Sequence, residues 1–295
     1  MAIKESISRK TFNIFNIILL FIVALSAILP IVHIFAVSLS SPAAATGGLV
    51  GLWPVDLNFA AYEFLVSRWT FFRSIGVSLI RVLMGTSLNM VLVVLAAYPM
   101  SKSKKEFPAR NFYMIFFAIT MFIGGGLIPT FMLINNLNML DTIWALVLPG
   151  ALNVWWMVMM MNFMRGIPKE LEEAARIDGA SYWTILLRVV IPVSLPSLAT
   201  ILLFSIIGHW NAWFDGMIYM NDVANHPMAT YLATQVMAGG QSRANLTPDQ
   251  MAALAALSDQ TVSAAQLFIS ILPILLIYPF LQKFFIKGIV VGSVK

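Results

Sequence analysis

Long apolar segments constrain this 295-residue chain more than any other feature. A helix that crosses a bilayer needs about 20 consecutive, mostly apolar residues. The candidate segments are apolar on all sides rather than along one stripe, which is typical of helices surrounded by lipid. Six segments meet the requirement: 12–37, 74–99, 112–133, 142–161, 195–220 and 264–285. The sequence therefore predicts an all-α membrane protein with six transmembrane helices, built as one domain over residues 1–295.

The composition excludes several classes of protein. Apolar residues make up 60% of the chain and charged residues 11%, whereas soluble domains contain roughly 45–50% and about 25%. So few charges cannot cover a water-facing surface, which excludes a soluble enzyme, a nucleic-acid-binding module and a disordered chain. The chain has no Cys and only three widely separated His residues. Disulfides, thiol catalysis and a His-built metal centre are therefore not expected.

The basic residues predict the orientation in the membrane. Cytoplasmic loops of membrane proteins carry an excess of Lys and Arg. In this chain these residues concentrate in four regions: the N-terminus, the second-to-third connection, the fourth-to-fifth connection and the C-terminal tail. All four regions lie on the same side of a six-span topology. Both termini are therefore predicted to be cytoplasmic.

The connection between the fourth and fifth spans, residues 165–192, is predicted to contain a polar helix. Pro168 is typical of a first helical turn, and the acidic residues after it lie where the helix dipole favours anions. Gly179 is expected to end or turn the helix. One face combines an aliphatic, two small and one acidic side chain: Leu171, Ala174, Ala175 and Asp178. Spacing alone leaves two interpretations open, a shallow face that another protein's groove approaches or a surface helix at the lipid headgroups.

The motifs in this connection resemble a known family. The order Glu173-Ala174-Ala175, Gly179, Val189 and Ile191-Pro192 resembles the signature loop of ABC importer permeases, with Val-x-Ile-Pro in place of the family's usual Ile-x-Leu-Pro. The subgroup it looks most like is the carbohydrate importers of the maltose type, specifically their shorter, six-span permease subunit. Three stretches carry this further likeness: 125–129, 210–213 and 287–295. Within the subgroup, the sequence looks similar to permeases for uronic-acid oligosaccharides such as alginate fragments.

The resemblance implies a type I ABC importer permease fold in the bacterial inner membrane, with a cytoplasmic coupling helix between spans 4 and 5. The chain would pair with a second permease subunit as a heterodimer and form half of the pore. Two cytoplasmic ATPases would drive transport, and an extracytoplasmic binding protein would deliver an oligosaccharide. No G-x-x-x-x-G-K-[ST] phosphate loop occurs in the chain. ATP and Mg²⁺ are thus expected in the ATPases, and neither a cofactor nor an enzymatic activity in this chain.

The resemblance also implies two groups of ATPase-contacting residues. The first group lies on the coupling helix and would engage the ATPase: Glu172, Glu173, Ala174, Ala175, Asp178 and Gly179. The second lies in the C-terminal tail: Gly288, Gly292 and Lys295. Within the first group, Glu173 is expected to pair with a basic residue of the ATPase.

A cluster of aromatic and polar residues in the outer half of the fifth span suggests a substrate pathway. Sugars bind to aromatic faces through their CH groups, and amides or carboxylates bind their hydroxyls. Trp210, Asn211, Trp213 and Asp215 supply these groups, and Arg81 of the second span is a further candidate. Two simpler interpretations stay open: an aromatic belt at the interface and, for Arg81, a side chain that snorkels toward the headgroups.

Gly124, Gly125 and Gly126, followed by Pro129, interrupt the third span. A locally broken helix beside a pathway is one interpretation. Close helix packing through small residues is the other, and it is the interpretation that we favour from sequence.

Two other functions are weighed against the importer. An ion-coupled secondary sugar transporter would need carboxylates inside the membrane, and Asp215 is the available one. An intramembrane enzyme would need Cys, paired His or paired carboxylates at mid-membrane, and the sequence offers none of these.

Overall fold

The fold was analysed in a computed structural model, which describes residues 6–237 and 258–292. These residues form helices and connecting turns, with no β-strand among them. The first half of the chain contains α1 Ile7–Ser38, α2 Pro42–Thr46, α3 Ala60–Val66, α4 Trp69–Ser101, α5 Arg110–Phe122, α6 Leu127–Asn136 and α7 Ile143–Val147. The second half contains α8 Val154–Arg165, α9 Lys169–Ile177, α10 Tyr182–Ile185, α11 Ile191–Val193, α12 Leu195–Asn211, α13 Phe214–Tyr219, α14 Met228–Met237 and α15 Asp259–Gly292. A π-helical turn, Leu186–Val190, joins α10 to α11, and a 3₁₀ turn, Val223–Asn225, precedes α14. The predicted all-α class is confirmed.

One compact unit comprises Met1–Trp69 and Gln235–Leu272. Most side chains along the apolar part of α1 are exposed, as expected of a helix that meets lipid or another subunit. Near the end of α1, Ala36 packs with Ala44 of α2 and with Val50 in a small apolar cluster. The α1–α3 region is fixed by the hydrogen bond between the hydroxyls of Ser38 and Tyr62 at 2.7 Å.

The other compact unit comprises Thr70–Thr234 and Pro273–Lys295. Its main apolar core joins the C-terminal half of α4 to α8, to the segment α10–α11 and to α12. Methionines dominate the contribution of α8, because the four buried positions Met157, Met160, Met161 and Met164 recur at helical spacing. The core therefore supports the connection 165–192 from the membrane side.

The third predicted span is a broken helix. α5 and α6 meet at an angle of 109° across residues 123–126. Gly126 takes a φ of 79°, which a residue with a Cβ rarely adopts. A Cβ placed on Gly124 would meet open space. The glycines therefore break the helix. Close packing through them, the interpretation favoured from sequence, is not seen within the described residues.

The fourth predicted span, 142–161, is not one continuous helix. α7 ends at Val147 and α8 begins at Val154, and the intervening chain contains Pro149 and Gly150. Proline lacks the N–H that a helix needs, so the helix stops here. Three single helices of the described residues are long and apolar enough to cross a membrane, and two bent pairs raise the number to five. The second bent pair joins Tyr182–Val193 to Leu195–Asn211 at 80°. It contains the first part of the fifth predicted span, which continues in α13 after a break at residues 212–213.

Candidate functional site

α9 is the polar helix predicted in the fourth-to-fifth connection. It runs from Lys169 to Ile177, directly after Pro168, and carries Glu170 and Glu172 in its first turn. Asp178 caps its end, and Gly179 follows with a φ of 79°. No atom would meet a Cβ at Gly179, so the backbone conformation rather than crowding requires glycine there.

Two ion pairs tie α9 to the connection that follows α4. Lys102, at 8% exposure, pairs with Glu172, and Arg176 pairs with Glu106. The Nζ atom of Lys102 also lies 4.1 Å from the ring centroid of Tyr98, a favourable cation–π distance. These contacts join α9 to the end of α4.

Glu106 is held as a carboxylate. Partial burial by itself would raise its pKa, but hydrogen bonds from Arg176 and Ser103 outweigh this and lower the pKa of Glu106 to about 2. Ser103 donates from its backbone N–H at 3.1 Å and from its hydroxyl at 2.9 Å. The hydrogen bond to Glu106 in turn raises the pKa of Arg176. The pair therefore stays charged across the physiological range.

The two sides of α9 have different environments. Glu172 binds Lys102 of the same chain, and Ala175 packs against the main core. Both side chains are half-buried within this chain, and their predicted contact with the ATPase stays a prediction. The outward side carries the other four predicted coupling residues and two exposed aliphatic side chains: Leu171, Glu173, Ala174, Ile177, Asp178 and Gly179. Ile177 is the most exposed of these, at 87%.

The predicted tail contacts are described only in part. Gly288 and Gly292 belong to α15, the helix Asp259–Gly292. Lys295 lies outside the described residues. The contact of this tail with an ATPase stays a prediction.

The predicted pathway residues Arg81 and Asp215 contact each other. Arg81 Nη1 donates to Asp215 Oδ1 at 3.1 Å and to the carbonyl oxygen of Ala212 at 2.9 Å, and its Nη2 pairs with Asp215 Oδ2. α12 ends at Asn211, so Ala212 lies in the break before α13 and its carbonyl needs a donor. Arg81 is 2% exposed. Snorkelling of Arg81 toward the headgroups is therefore wrong, and the side chain is a buried partner of Asp215.

The structure separates the other pathway candidates. Trp210 is buried, whereas Asn211 and Trp213 are exposed. Trp213 and Asn211 are thus the candidates that remain open to a passing ligand.

Among the described residues, no group of three or more His, Cys, Asp or Glu side chains is arranged to hold a metal ion.

A polar network around Asn89 was missed from sequence. Asn89 Oδ1 accepts hydrogen bonds from Ser205 Oγ at 2.7 Å and His209 Nε2 at 3.0 Å. Its Nδ2 donates to the carbonyl oxygens of Gly150 and Ala151 at 2.9 and 2.6 Å. These carbonyls belong to the break between α7 and α8, so Asn89 satisfies backbone groups that lipid would leave without a partner.

A signal for this network was present in the sequence. Small or polar residues recur along α4 at intervals of three or four, the spacing of one helix face, and all are buried: Ser74, Ser78, Arg81, Gly85 and Asn89. We refer to these five residues as the polar stripe of α4. A Cβ on Gly85 would collide with the ring of His209, so this glycine admits the close approach of α12.

Comparison with known proteins identifies the family. Residues 89–291 match the family described as the binding-protein-dependent transport system inner membrane component. The chain belongs to this family. The match contains α9, the Asn89 network and Asp215, whereas Arg81 precedes it.

Several relatives extend the likeness over nearly the whole permease. Protein LplC of Bacillus subtilis is 35% identical over 292 residues, covering 97% of this chain and 95% of that protein. The polygalacturonan/rhamnogalacturonan transport system permease protein YtcP of Bacillus subtilis is 34% identical, covering 96% of each chain. A chain in the crystal structure of a bacterial ABC transporter involved in the import of the acidic polysaccharide alginate superposes with a TM-score of 0.84 at 34% identity, covering 96% of this chain and 100% of that chain. The type I permease fold is thereby confirmed.

Proposed function

We propose that this permease forms half of the translocation pore of an ATP-driven importer for an acidic oligosaccharide. It pairs with a second permease subunit, two cytoplasmic ATPases bind beneath them, and an extracytoplasmic binding protein delivers the sugar. Both termini face the cytoplasm, as the distribution of Lys and Arg predicts.

The observation that carries the proposal is the two-sided environment of α9. Its outward side exposes Glu173, Asp178 and the aliphatic Ile177, a combination suited to an apolar groove with basic residues at its rim. Its inward side is tied to the end of α4 by two ion pairs. A partner that moves α9 would therefore also move α4 and the core that packs against it.

Relatives support an acidic substrate. One similar permease is named for polygalacturonan, a polymer of a uronic acid, and the similar crystal structure is of an importer of the acidic polysaccharide alginate. Arg81 does not contribute a free cation for such a sugar, because Asp215 neutralises it. Recognition of the acid is therefore assigned to other residues of the pathway and to the binding protein.

The ion-coupled alternative loses its main support. A coupling carboxylate must exchange its proton or cation during transport. Asp215, the only Asp or Glu in the six predicted spans, is bound by Arg81 and by the backbone N–H of Gly216 at 2.9 Å. This pairing suits a structural ion pair better than a coupling site.

The test is uptake by the reconstituted complex. Proteoliposomes containing both permeases and the ATPases, with the binding protein outside, are loaded with ATP and given labelled alginate oligosaccharides or malto-oligosaccharides. We expect ATP-dependent uptake of the acidic sugar and at most background uptake of the neutral one. Uptake that proceeds without ATP, driven by an ion gradient, would contradict the importer. ATP-dependent uptake of the neutral sugar alone would contradict the substrate class.

A further inference from the structure

A cavity with an excess of positive charge lies beside α9. Its volume is about 580 Å³, and it is bounded by the start of α5, the end of α8, the connection after α4 and the first turns of α9. Six basic and three acidic side chains line it. The two ion pairs of α9 neutralise two members of each sign, which leaves four basic side chains and the carboxylate of Glu173. Four lining cations have no ion-pair partner among residues 6–237 and 258–292: Lys105, Arg110, Arg165 and Lys169.

Two of these cations, Arg110 and Arg165, belong to different helices and line the same cavity. Arg165 donates from Nη2 to the carbonyl oxygen of Met100 at 3.2 Å. Burial, and then the positive charge of Arg110, lower the pKa of Arg165. The Nε atom of Arg110 is buried and has no hydrogen-bond partner in the described structure. A buried donor without a partner and a pair of like charges are both unfavourable. An anion between the two guanidinium groups would relieve both, and a phosphate matches the geometry of their N–H donors.

The surroundings indicate a ligand with an apolar part. Arg110 is the first residue of α5, and the exposed side chains that follow on this helix are large and apolar, among them Phe112, Ile115 and Phe116. A second cavity of about 240 Å³ lies between α4 and α5 and is lined almost entirely by apolar atoms of Ala96, Pro99, Met100, Phe107, Tyr113 and Phe117. A free phosphate would use the basic cavity alone, whereas an amphiphile would use both surfaces.

We propose that Arg110 and Arg165 bind the phosphate of an anionic phospholipid of the cytoplasmic leaflet, with its acyl chains against α5. Lys105 and Lys169 lie on the same cavity and add to the attraction. Lys169 is the first residue of α9, so the headgroup touches the helix that the proposed function assigns to ATPase coupling. The lipid site itself rests on the cavity and its charges and does not depend on that function.

Thermal unfolding of the assembled detergent-solubilised complex tests the proposal. Phosphatidylglycerol, phosphatidylcholine with the same acyl chains, and inorganic phosphate are titrated separately. We expect phosphatidylglycerol to raise the unfolding midpoint, and the other two to leave it unchanged. An equal shift with phosphatidylcholine would overturn the anionic specificity. A shift with inorganic phosphate alone would show a free-anion site and overturn the lipid assignment.

Matched variants locate the effect. Arg110→Gln combined with Arg165→Gln should weaken the apparent affinity for phosphatidylglycerol about tenfold or more, because two charge-assisted contacts are lost. Lys104→Gln removes an exposed cation of the same connection that does not line the cavity, and it should keep the wild-type affinity. Arg110→Lys keeps the charge but not the forked donors, and it should give an intermediate affinity even if the double variant folds poorly. Wild-type affinity in Arg110→Lys and the double variant, or an equal loss in Lys104→Gln, would overturn the site.

Discussion

At the scale of single residues, a charged side chain within the predicted spans is stabilised by one ion-pair partner. Arg81 is almost completely buried and Asp215 is its ion-pair partner. Removing one member of a buried pair leaves an uncompensated charge, which costs about 3–5 kcal/mol, whereas replacing both members by apolar residues is often neutral. Asp215 keeps part of its side chain exposed, so we expect the lower end of that range.

The first prediction follows from this pair. Asp215→Leu should lower the free energy of unfolding by about 3 kcal/mol, and the double variant Arg81→Met/Asp215→Leu should recover most of the loss. Thermal unfolding of the purified complex measures both. Asn211→Leu, four residues earlier and exposed, is the control: it should lower sugar uptake without lowering stability. Additive losses in the double variant would show that the two charges do not act as a pair.

The second prediction concerns Glu173, an exposed acidic residue of α9. Glu173→Lys should abolish transport and weaken association with the ATPase, because it reverses the charge on the outward side. Insertion into the membrane should be normal, since α9 lies outside the predicted spans. Glu63→Lys, the same change at an exposed position of α3, should leave the association unchanged. The outcome is measured by co-purification of the ATPase and by ATP hydrolysis stimulated by the binding protein. Normal values of both in Glu173→Lys would contradict the predicted role of this residue.

At the scale of elements, α9 is attached to α4 through ion pairs whose partners are 70 residues apart in sequence. Lys102 is nearly buried and Glu172 mostly so, so this pair is worth more than an exposed one. The attachment lies opposite the outward side of α9. Under the proposed function, we therefore expect different residues to bind the ATPase and to transmit its movement.

The third prediction separates these two roles. In Lys102→Met the ATPase should still associate, because Glu173 and Ile177 remain exposed, but uptake per ATP hydrolysed should fall severalfold. The exchanged variant Lys102→Glu/Glu172→Lys should restore part of the coupling. Uptake and ATP hydrolysis are measured on the same proteoliposomes. An unchanged ratio in Lys102→Met would show that α9 moves the spans without this link.

The fourth prediction concerns pH. The pKa of Glu106 is lowered to about 2 in the folded protein, below its value of about 4.3 in an unfolded chain. Its contribution to stability is therefore fully present above the unfolded pKa and is lost as the pH falls toward 2. The stability difference between wild type and Glu106→Gln should be constant from about pH 6 to 8 and should shrink below about pH 4.5. A difference that changes near neutral pH would contradict the assignment.

At the scale of the whole molecule, the permease combines long continuous helices with broken ones. α1, α4 and α15 are single helices, whereas the third predicted span is a bent pair and the fourth and fifth are each divided between two helices. Irregular backbone at membrane depth needs internal hydrogen-bond partners. Asn89 supplies them for the break at Gly150 and Ala151, and Arg81 supplies one for the break at Ala212. The polar stripe of α4 thus supplies hydrogen-bond donors to the backbone of the broken spans.

The fifth prediction is the topology. A single Cys introduced into this Cys-free chain can be labelled with a membrane-impermeant reagent in intact cells. Position 243, outside the described residues, should be labelled, and positions 104 and 176 should be labelled only after the membrane is opened. Labelling at 176 but not at 243 in intact cells would reverse the orientation inferred from the basic residues.

The sequence by itself determined the features that depend on neighbours along the chain. Apolar runs predicted the membrane class, and Pro168, the acidic first turn and Gly179 predicted α9 almost to the residue, because capping and helix periodicity are local properties. The family was predicted from the resemblance of Glu173, Gly179 and Ile191-Pro192 to its signature loop. The sequence showed the glycine run Gly124–Gly126. It did not show whether these glycines pack closely against another helix or break their own, since a glycine run serves both purposes.

Only the tertiary structure decided which polar groups meet. Arg81 and Asp215 are 134 residues apart, and Asn89 bonds with groups from two later segments. No local rule fixes such partners, because they depend on which helix faces pack together. The same reason applies to Glu172: it has the same charge as Glu173, its neighbour in the sequence, and only the position of Lys102 gives it an ion-pair partner within the chain. Within a membrane, where every buried polar group must find a partner in the protein, these long-range pairings determine where the spans can break.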